Sequence, residues 1–468
     1  MALIYNGSFG GLSDSKYSGI AGSFAVCTGV DGHSVPGLLQ VQQKLTKNSG
    51  STVDAFCKVA VAASTGYTFW FSSTTGKIWA RSSGGSWTLA YTTVAGAGGH
   101  GCLGAMEYNG YIYWATESRL HRISIANADD AWAGMDLDWA TFGKTDALYH
   151  PMAIQDLRLF IGDANQVAEV TDAGVFVSNS LDINTPHRIS AMAPYDIDLI
   201  IGTYVADTVN RSEIIRWDTV SPSWNTSDPI EEVGINAFIR DDNYMYAQAG
   251  KAGNIYYYNG QYLTPFKRIP GTYSSTQYGQ VYAGSVANYK GVPVFGFSNG
   301  SGNPAPQGVY SLGSYSRDYR KVLDLSWVIS QDKVATIEIG AILVVGFDLM
   351  VAWKDGSTLG VDVIDYTAKY ASAYVETMML FQDARDVMKT LANVSAFYNS
   401  LPASTGITFS YSINGAAYVA MTSVTNSLMN EIRAQLSADG IGSLQIKIAF
   451  TVNTNDAPTV EALSIDFE

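Results

Sequence analysis

Histidine, closely spaced acids and one serine motif are the features of this chain best suited to acid–base, nucleophilic or metal chemistry, and their spacing argues against each. The five histidines are His33, His100, His121, His150 and His187. No two stand at the short intervals that place metal ligands on one strand or helix face, and His100 with Cys102 has no further ligand nearby. The acidic pairs Asp136/Asp138, Asp196/Asp198 and Asp241/Asp242 would suit glycoside cleavage only if the fold set two carboxylates on either side of a sugar. Each pair falls at a loop or strand edge, where Asp supports turns. Gly296-Phe297-Ser298-Asn299-Gly300 matches G-x-S-x-G, but a nucleophile elbow needs a helix directly after the Ser. Ser301-Gly302-Asn303-Pro304-Ala305-Pro306 cannot supply one, so a loop between strands is expected. Gly96-Ala97-Gly98-Gly99-His100-Gly101 matches G-x-G-x-x-G but leads into a strand start, not a helix that would hold pyrophosphate. Asp163-Ala164-Asn165-Gln166 lacks the third oxygen ligand and the Gly of a calcium loop. No catalytic, cofactor-binding or metal residue is assigned, no cofactor is expected, and the chain is expected not to be an enzyme.

The elements that would position such groups read as strands. Charged residues are 15% of the chain and aromatics 12%, with 29 Tyr and 45 Gly. This composition favours pleated sheets joined by tight turns and is poor in the charge runs that solvate long helices. The net charge of −14 argues against wrapping nucleic acid from outside, since affinity there comes from neutralising phosphates. It is compatible with a channel through which DNA slides without sticking. Cys27, Cys57 and Cys102 are too few and too far apart for a disulfide framework or a zinc site, although one bridge between Cys27 and Cys57 stays open. The start lacks the basic and apolar regions of a signal peptide, and no apolar run is long enough to span a bilayer.

A repeat begins near residue 58. Each unit shows a short apolar strand, then an aromatic or β-branched strand, then a third strand. The second strands are Tyr67-Thr68-Phe69-Trp70-Phe71, Tyr111-Ile112-Tyr113-Trp114, Arg158-Leu159-Phe160-Ile161-Gly162, Asp198-Leu199-Ile200-Ile201-Gly202, Tyr244-Met245-Tyr246-Ala247, Val292-Pro293-Val294-Phe295-Gly296 and Asp348-Leu349-Met350-Val351-Ala352. They recur roughly every 40 to 55 residues, the spacing of four-stranded propeller blades. One blade cannot bury both its faces, whereas a closed ring of blades covers each with a neighbour. The fold class is therefore all-β: a β-propeller, seven blades by this count with six to eight in range, followed by a β-sandwich. The expected division is 1–57 as an N-terminal arm or lead-in strand, 58–369 as propeller and 370–468 as sandwich. Asp129-Asp130-Ala131-Trp132 and Trp217-Asp218 have the form of blade-closing Trp placements. Ser82-Ser83-Gly84-Gly85-Ser86-Trp87 is like a sialidase Asp-box with Ser82 in place of its Asp. In the C-terminal part Asn414-Gly415 signals a hairpin, and Ser427 to Leu436 is expected as one short helix.

Three stretches resemble phage tail proteins. Phe9-Gly10-Gly11-Leu12-Ser13-Asp14, followed by Gly29-Val30-Asp31-Gly32 and Val35-Pro36-Gly37, is similar to their opening. Tyr370-Ala371-Ser372-Ala373-Tyr374-Val375-Glu376-Thr377 resembles their G-A-Y-I-E-T strand, and Asn453-Thr454-Asn455-Asp456-Ala457-Pro458-Thr459-Val460 their N-T-N-D-x-P-x-V ending. Leu38-Leu39-Gln40 departs from the basic run that the family shows after the opening Pro-Gly. The order of propeller then sandwich is similar to the tail hub or nozzle proteins of short-tailed phages. The resemblance implies a virion structural protein, assembled in the host cytoplasm, whose partners are other tail or connector proteins. It also implies a homo-oligomeric ring, hexameric by that likeness, with DNA passing through an acidic lumen. The alternatives are a tail-fibre or tip protein that binds host-surface glycan through exposed aromatics such as Trp224 and Tyr262, and a propeller-type glycan hydrolase.

Overall fold

The computed structural model describes residues 2–6, 9–15, 17, 22–35, 37–92, 101–129, 131–144, 147–206, 209–241, 244–271, 273, 279–299, 307–314, 321–331, 337–381, 389–425 and 430–467. Among them the regular elements are strands, apart from one short 3-10 turn at Ile125–Asn127. No helix among these residues is long and apolar enough to cross a membrane.

Six four-stranded antiparallel sheets account for most of the chain between residues 43 and 369. Sheets I to V are meanders over 57–92, 104–141, 152–182, 188–230 and 235–268. Sheet VI has its meander at Val286–Tyr289, Val292–Asn299, Gly308–Gly313 and Val322–Trp327, and is continued at its outer edge by further strands. Sheet VII runs over 337–369 and takes its fourth strand, Gln43–Lys47, from the other end of the chain. The first strands of the sheets lie side by side in chain order, and Ile337–Val345 of VII returns against Cys57–Ala62 of I. The chain is therefore a propeller closed on itself.

Small residues let neighbouring sheets approach. Gly162, Gly202 and Gly296 each end the aromatic or β-branched run of a second strand. A Cβ added to them would fall 2.7, 2.7 and 2.2 Å from Ile189, Ile235 and Ile339 of the next sheet. The glycine that closes these units in the sequence is thus the socket for the following unit's isoleucine. Further out, aromatic rings fill the seams. Trp132 of II packs at 5.0 Å on Phe69 of I, Trp217 of IV at 5.4 Å on Phe160 of III, and Tyr258 of V at 5.2 Å on Tyr195 of IV. Each such pair adds about 1 kcal/mol beyond the apolar area it removes from water.

The first 57 residues, expected as an arm or lead-in strand, supply strands to several sheets. Gln43–Lys47 completes VII, with Leu45 buried among Trp327, Trp353 and Ile364. Phe24–Thr28 sits between the outer strand of VI and Tyr374–Thr377. Ala2–Asn6 and Leu39–Val41 both pair with the last strand, Thr459–Phe467. Past residue 370 the strands form two sheets. One holds Lys389–Tyr398, Glu431–Ile441 and Thr459–Phe467; the other holds Tyr374–Thr377, Gly406–Ile413, Val419–Val424 and Ser443–Thr451. Both contribute to a single apolar cluster that continues into sheets V and VI through Ile239, Phe295, Tyr310 and Leu325.

The expected helix at Ser427 to Leu436 is corrected. Residues 426–429 lie outside the described residues, and Glu431–Ile441 is a strand paired with Lys389–Tyr398. Ile432 and Leu436 are buried, while Arg433 and Gln435 between them are exposed. An interval of four residues suits one helical turn and also two steps of a strand, and the available sheet edge decided between them.

Candidate functional site at the axial mouth

In a four-stranded meander the turns after the first and third strands lie at one end, and the turn after the second lies with the connection to the next sheet at the other. The axial site opens at the connection end. A cavity of about 420 Å³ is bounded there by Tyr149 before sheet III, Arg188 and Tyr204 of IV, Asn236 and Lys251 of V, and Tyr282 before VI. Tyr149 meets Tyr204 edge-on at 5.6 Å. The Asn236 amide donates to Gln248 Oε1 at 2.8 Å and to the Gly250 carbonyl at 2.7 Å, and the Val281 N–H donates to the same Gln248 oxygen at 3.0 Å. The wall is therefore pre-ordered. A second cavity of about 430 Å³ lies between the first strands, bounded by Met106, Met152, Met192 and Leu343 together with His150, Asn288 and backbone polar groups.

Where VII meets I, four polar side chains gather beside the mouth. The Tyr282 hydroxyl donates to Glu338 at 2.7 Å, Lys354 Nζ lies 3.0 Å from the other Glu338 oxygen, and Lys58 Nζ sits 4.1 Å from the Tyr282 ring centre. Burial pushes the Glu338 carboxyl up, but the Tyr282 hydroxyl and the lysines outweigh it and leave it below its usual range. Burial lowers the Lys58 ammonium from its ordinary value, partly offset by Glu338. Cations, phenols and amides around one cavity can bind an anionic ligand that also presents a flat or apolar face.

The groups weighed in the sequence lie elsewhere. Asp136 pairs with Arg122 at 2.9 Å, Asp198 with Arg216 at 2.5 Å, and Asp241 with Lys321, each on a different sheet; Asp242 lies outside the described residues. Ser298 is corrected from a loop to a strand position within Val292–Asn299. It is buried, accepts from the Ile339 N–H at 2.8 Å and donates to the Ile339 carbonyl at 3.2 Å. Residues 93–100, with most of the G-x-G-x-x-G run and His100, lie outside the described residues.

His121 stacks on Trp114 at 5.2 Å and accepts from the Asp138 N–H, and burial lowers its imidazole to about 4. His150 stacks on Phe142 at 4.3 Å and faces the Gly162 and Glu117 carbonyls. His187 lies between Thr203 and Glu213. His33 sits in a buried cluster with Asp31, Asp324 and Ser311, its Nε2 2.8 Å from the Ser311 hydroxyl and 3.9 Å from Asp324. Serine, histidine and aspartate thus meet, but Ser311 is closed to solvent, which leaves no path for a substrate. Among the described residues no three His, Cys, Asp or Glu side chains gather as metal ligands.

The Cys27–Cys57 bridge left open by the sequence is not formed; all three cysteines are free and buried. Cys27 faces Asp324, while Cys57 begins the first strand of sheet I beside Cys102. Trp224 packs half-buried against the III–IV core, whereas Tyr262 is exposed. The mouth residues were missed because no local motif marks them; each is an ordinary residue at a strand end or in a connection between sheets, and ring closure alone assembles them.

No family model matches the chain, and no curated protein matches it. Among solved structures, it is similar to the extracellular domain of the hybrid two component system BT4673 from B. thetaiotaomicron, with 12% identity and a TM-score of 0.45 over 77% of this chain and 43% of that one. It thus spans less than half of that extracellular domain. It is also similar to virginiamycin B lyase from Staphylococcus aureus, with 12% identity and a TM-score of 0.46 over 69% and 99% of the two chains. The WD40 domain of Neurospora crassa Pan2 is similar at 7% identity and a TM-score of 0.45 over 70% and 97%. The expectation that the chain is not an enzyme is corrected on this finding. The similar propellers include a lyase, and membership of a propeller class does not exclude catalysis.

Proposed function

We propose that this chain is a structural component of a phage tail, in which a seven-bladed propeller over 57–369, its last blade completed by Gln43–Lys47, carries a β-sandwich over 370–468. Copies join into a ring around the DNA channel, in contact with other tail or connector proteins. The observation that supports this reading is the convergence of the three stretches that resemble tail proteins. Leu12 bridges to Phe24, and Phe24–Thr28 pairs with Tyr374–Thr377. Val30–Asp31 pairs with Leu39–Val41, which pairs with Thr459–Phe467. Lys369 N–H donates to the Thr454 carbonyl at 2.7 Å, and Tyr370 fills the space over Gly29, where a Cβ would lie 2.2 Å from its ring. Stretches hundreds of residues apart thus build one collar between propeller and C-terminal sheets, as expected of segments that specify a shared architecture. Light scattering on the purified protein, negative-stain images and mass spectra of virions carrying its gene test the reading. A ring-shaped oligomer, hexameric by the resemblance, and presence in particles are expected. A protein that stays monomeric at every concentration and is missing from particles would end the proposal.

A second reading is favoured by the mouth itself: recognition of an acidic host-surface glycan, with Tyr149, Tyr204 and Tyr282 offering ring faces and Arg188 and Lys251 offering charge. On an array of acidic and neutral glycans, Arg188→Ala and Tyr204→Ala should each weaken binding of acidic glycans about tenfold or more. An array on which the wild-type chain binds nothing removes this reading and leaves the first intact.

A further inference from the structure

At the end of the propeller opposite the mouth, the turn between first and second strands carries ordinary turn residues in several sheets. Examples are Gly66 in I, Asn109-Gly110 in II and Lys290-Gly291 in VI, whose glycines have φ of 90°, 78° and 79°. Sheet VII has Gly346-Phe347 there, with Phe347 also exposed, whereas the turns of III and IV contain no glycine. These two turns read Asp156-Leu157 and Asp196-Ile197, with Asp156, Leu157 and Asp196 at φ of 47°, 57° and 54°. A branched apolar side chain in or beside a left-handed turn is unfavourable both for the backbone and for contact with water. Leu157 is 78% exposed, Ile197 66% and, in the turn between the third and fourth strands of IV, Val220 81%.

These tips are fastened together. The Tyr108 hydroxyl donates to the Leu157 carbonyl at 2.6 Å, and the Gln155 amide to the Asp196 carbonyl at 3.2 Å. Arg158 donates to the Thr219 carbonyl at 3.0 Å and hydroxyl at 2.8 Å, and that hydroxyl donates to Asp156 at 3.3 Å. Leu157, Ile197 and Val220 are thus presented on a rigid base, which lowers the entropy lost when something covers them. Asp156, Asp196 and Asp218 stand at these turns and Asp172 at the turn between the third and fourth strands of III, while the nearby cations Arg158 and Arg216 are engaged by Glu169 and Asp198. The patch is apolar with an acidic margin.

We infer that the hairpin tips of sheets III and IV form a docking surface for a protein partner whose contact patch is apolar and rimmed by Lys or Arg. Charge selects this occupant. A second copy meeting the same face would set Asp against Asp, which costs association free energy. The inference does not depend on the tail reading, because it concerns the folded chain whatever its assembly.

A random peptide display library panned against the folded wild-type protein is the test. Leu157→Asn, Ile197→Gly and Val220→Asn, combined in one chain, keep residues that tight turns tolerate, so the variant should fold; a melting curve checks this. A second variant, Asp156→Asn with Asp196→Asn, removes charge and leaves the apolar residues. The recovered peptides should combine Lys or Arg with large apolar residues, bind the first variant at least tenfold more weakly and the second several-fold more weakly, and lose affinity as salt rises. Recovery of no peptide above background, or of peptides that bind the first variant as well as the wild type, would overturn the inference.

Discussion

Gly296→Ala should destabilise the protein by about 3 kcal/mol, the upper part of the range for inserting one carbon into a packed interior. The added Cβ would lie 2.2 Å from Ile339 Cγ2, 2.8 Å from Ile339 Cβ and 3.3 Å from Ile342 Cδ1. Relief would require the next strand to move, and that strand is pinned. Ile339 N–H donates to Ser298 Oγ at 2.8 Å, and the Ile339 carbonyl accepts from Ser298 at 3.2 Å and from Ser285 at 2.9 Å. Rotation about χ1 could move Ile339 Cγ2 but not Ile339 Cβ, which already lies 2.8 Å from the added carbon, and β-branching restricts that rotation. Urea denaturation measures the effect. Gly291→Ala is the control: it has open space around the added carbon and φ of 79°, so it should cost about 1 kcal/mol from the backbone alone. Ile339→Ala should itself cost roughly 3 kcal/mol. Combined with Gly296→Ala it should cost less than the sum, because the methyl that clashes is gone. A Gly296→Ala protein as stable as the wild type would refute the socket account of the seams.

Asp31→Ala should have a comparable effect, about 3 kcal/mol, because it strands the buried His33 N–H and Gln42 amide, while the exposed Ser34 donors can turn to water. The Asp31 carboxylate is buried and accepts from the His33 N–H at 2.9 Å, the Ser34 N–H at 2.8 Å, the Ser34 hydroxyl at 2.6 Å and the Gln42 amide. These bonds fold residues 31–42 back so that Leu39–Val41 reaches the last strand, and their loss should show in hydrogen exchange along both segments. The same cluster predicts a pH dependence. Burial pushes the Asp324 carboxyl above its usual range, and Asp31 adds to this, while His33 and the Gly32 N–H partly oppose it. The folded chain then holds that proton more tightly than the unfolded chain. Its contribution is therefore most favourable below about pH 4 and declines as pH rises through the raised folded value. Asp324→Asn removes the titration, so its stability relative to wild type should improve from about pH 4 and level off once pH exceeds the raised folded value. His121 and His150, both lowered by burial, act in the opposite sense, costing stability as pH falls below about 6.5. The difference between Asp324→Asn and wild type cancels them. Parallel melting profiles for the two proteins across this range would contradict the assignment.

Much of the ring is legible along the chain. Strands such as Thr68–Ser72 or Asp198–Tyr204 carry β-branched and aromatic residues between strong turn signals, and a strand flanked by sheets on both faces needs just that composition. The recurrence of a terminal Gly at 162, 202 and 296 is legible as a pattern, but its cause is not. The clash it avoids involves an isoleucine 27 to 43 residues further on, in another sheet. Glu431–Ile441 misleads for a related reason, since its interval of four between buried residues fits two periodicities and only the open edge of Lys389–Tyr398 selects one.

Local composition and periodicity determined that this chain is all-β and built from repeated short meanders, because those properties depend on neighbours along the backbone. Tertiary structure alone decided that Gln43–Lys47 completes the last sheet of the ring, that the first and last strands lie side by side, and that Arg188, Lys251 and three tyrosines share one cavity. Each of these joins residues far apart in the chain. The free energy that selects them comes from burying faces and edges against each other, and no window of sequence contains both partners.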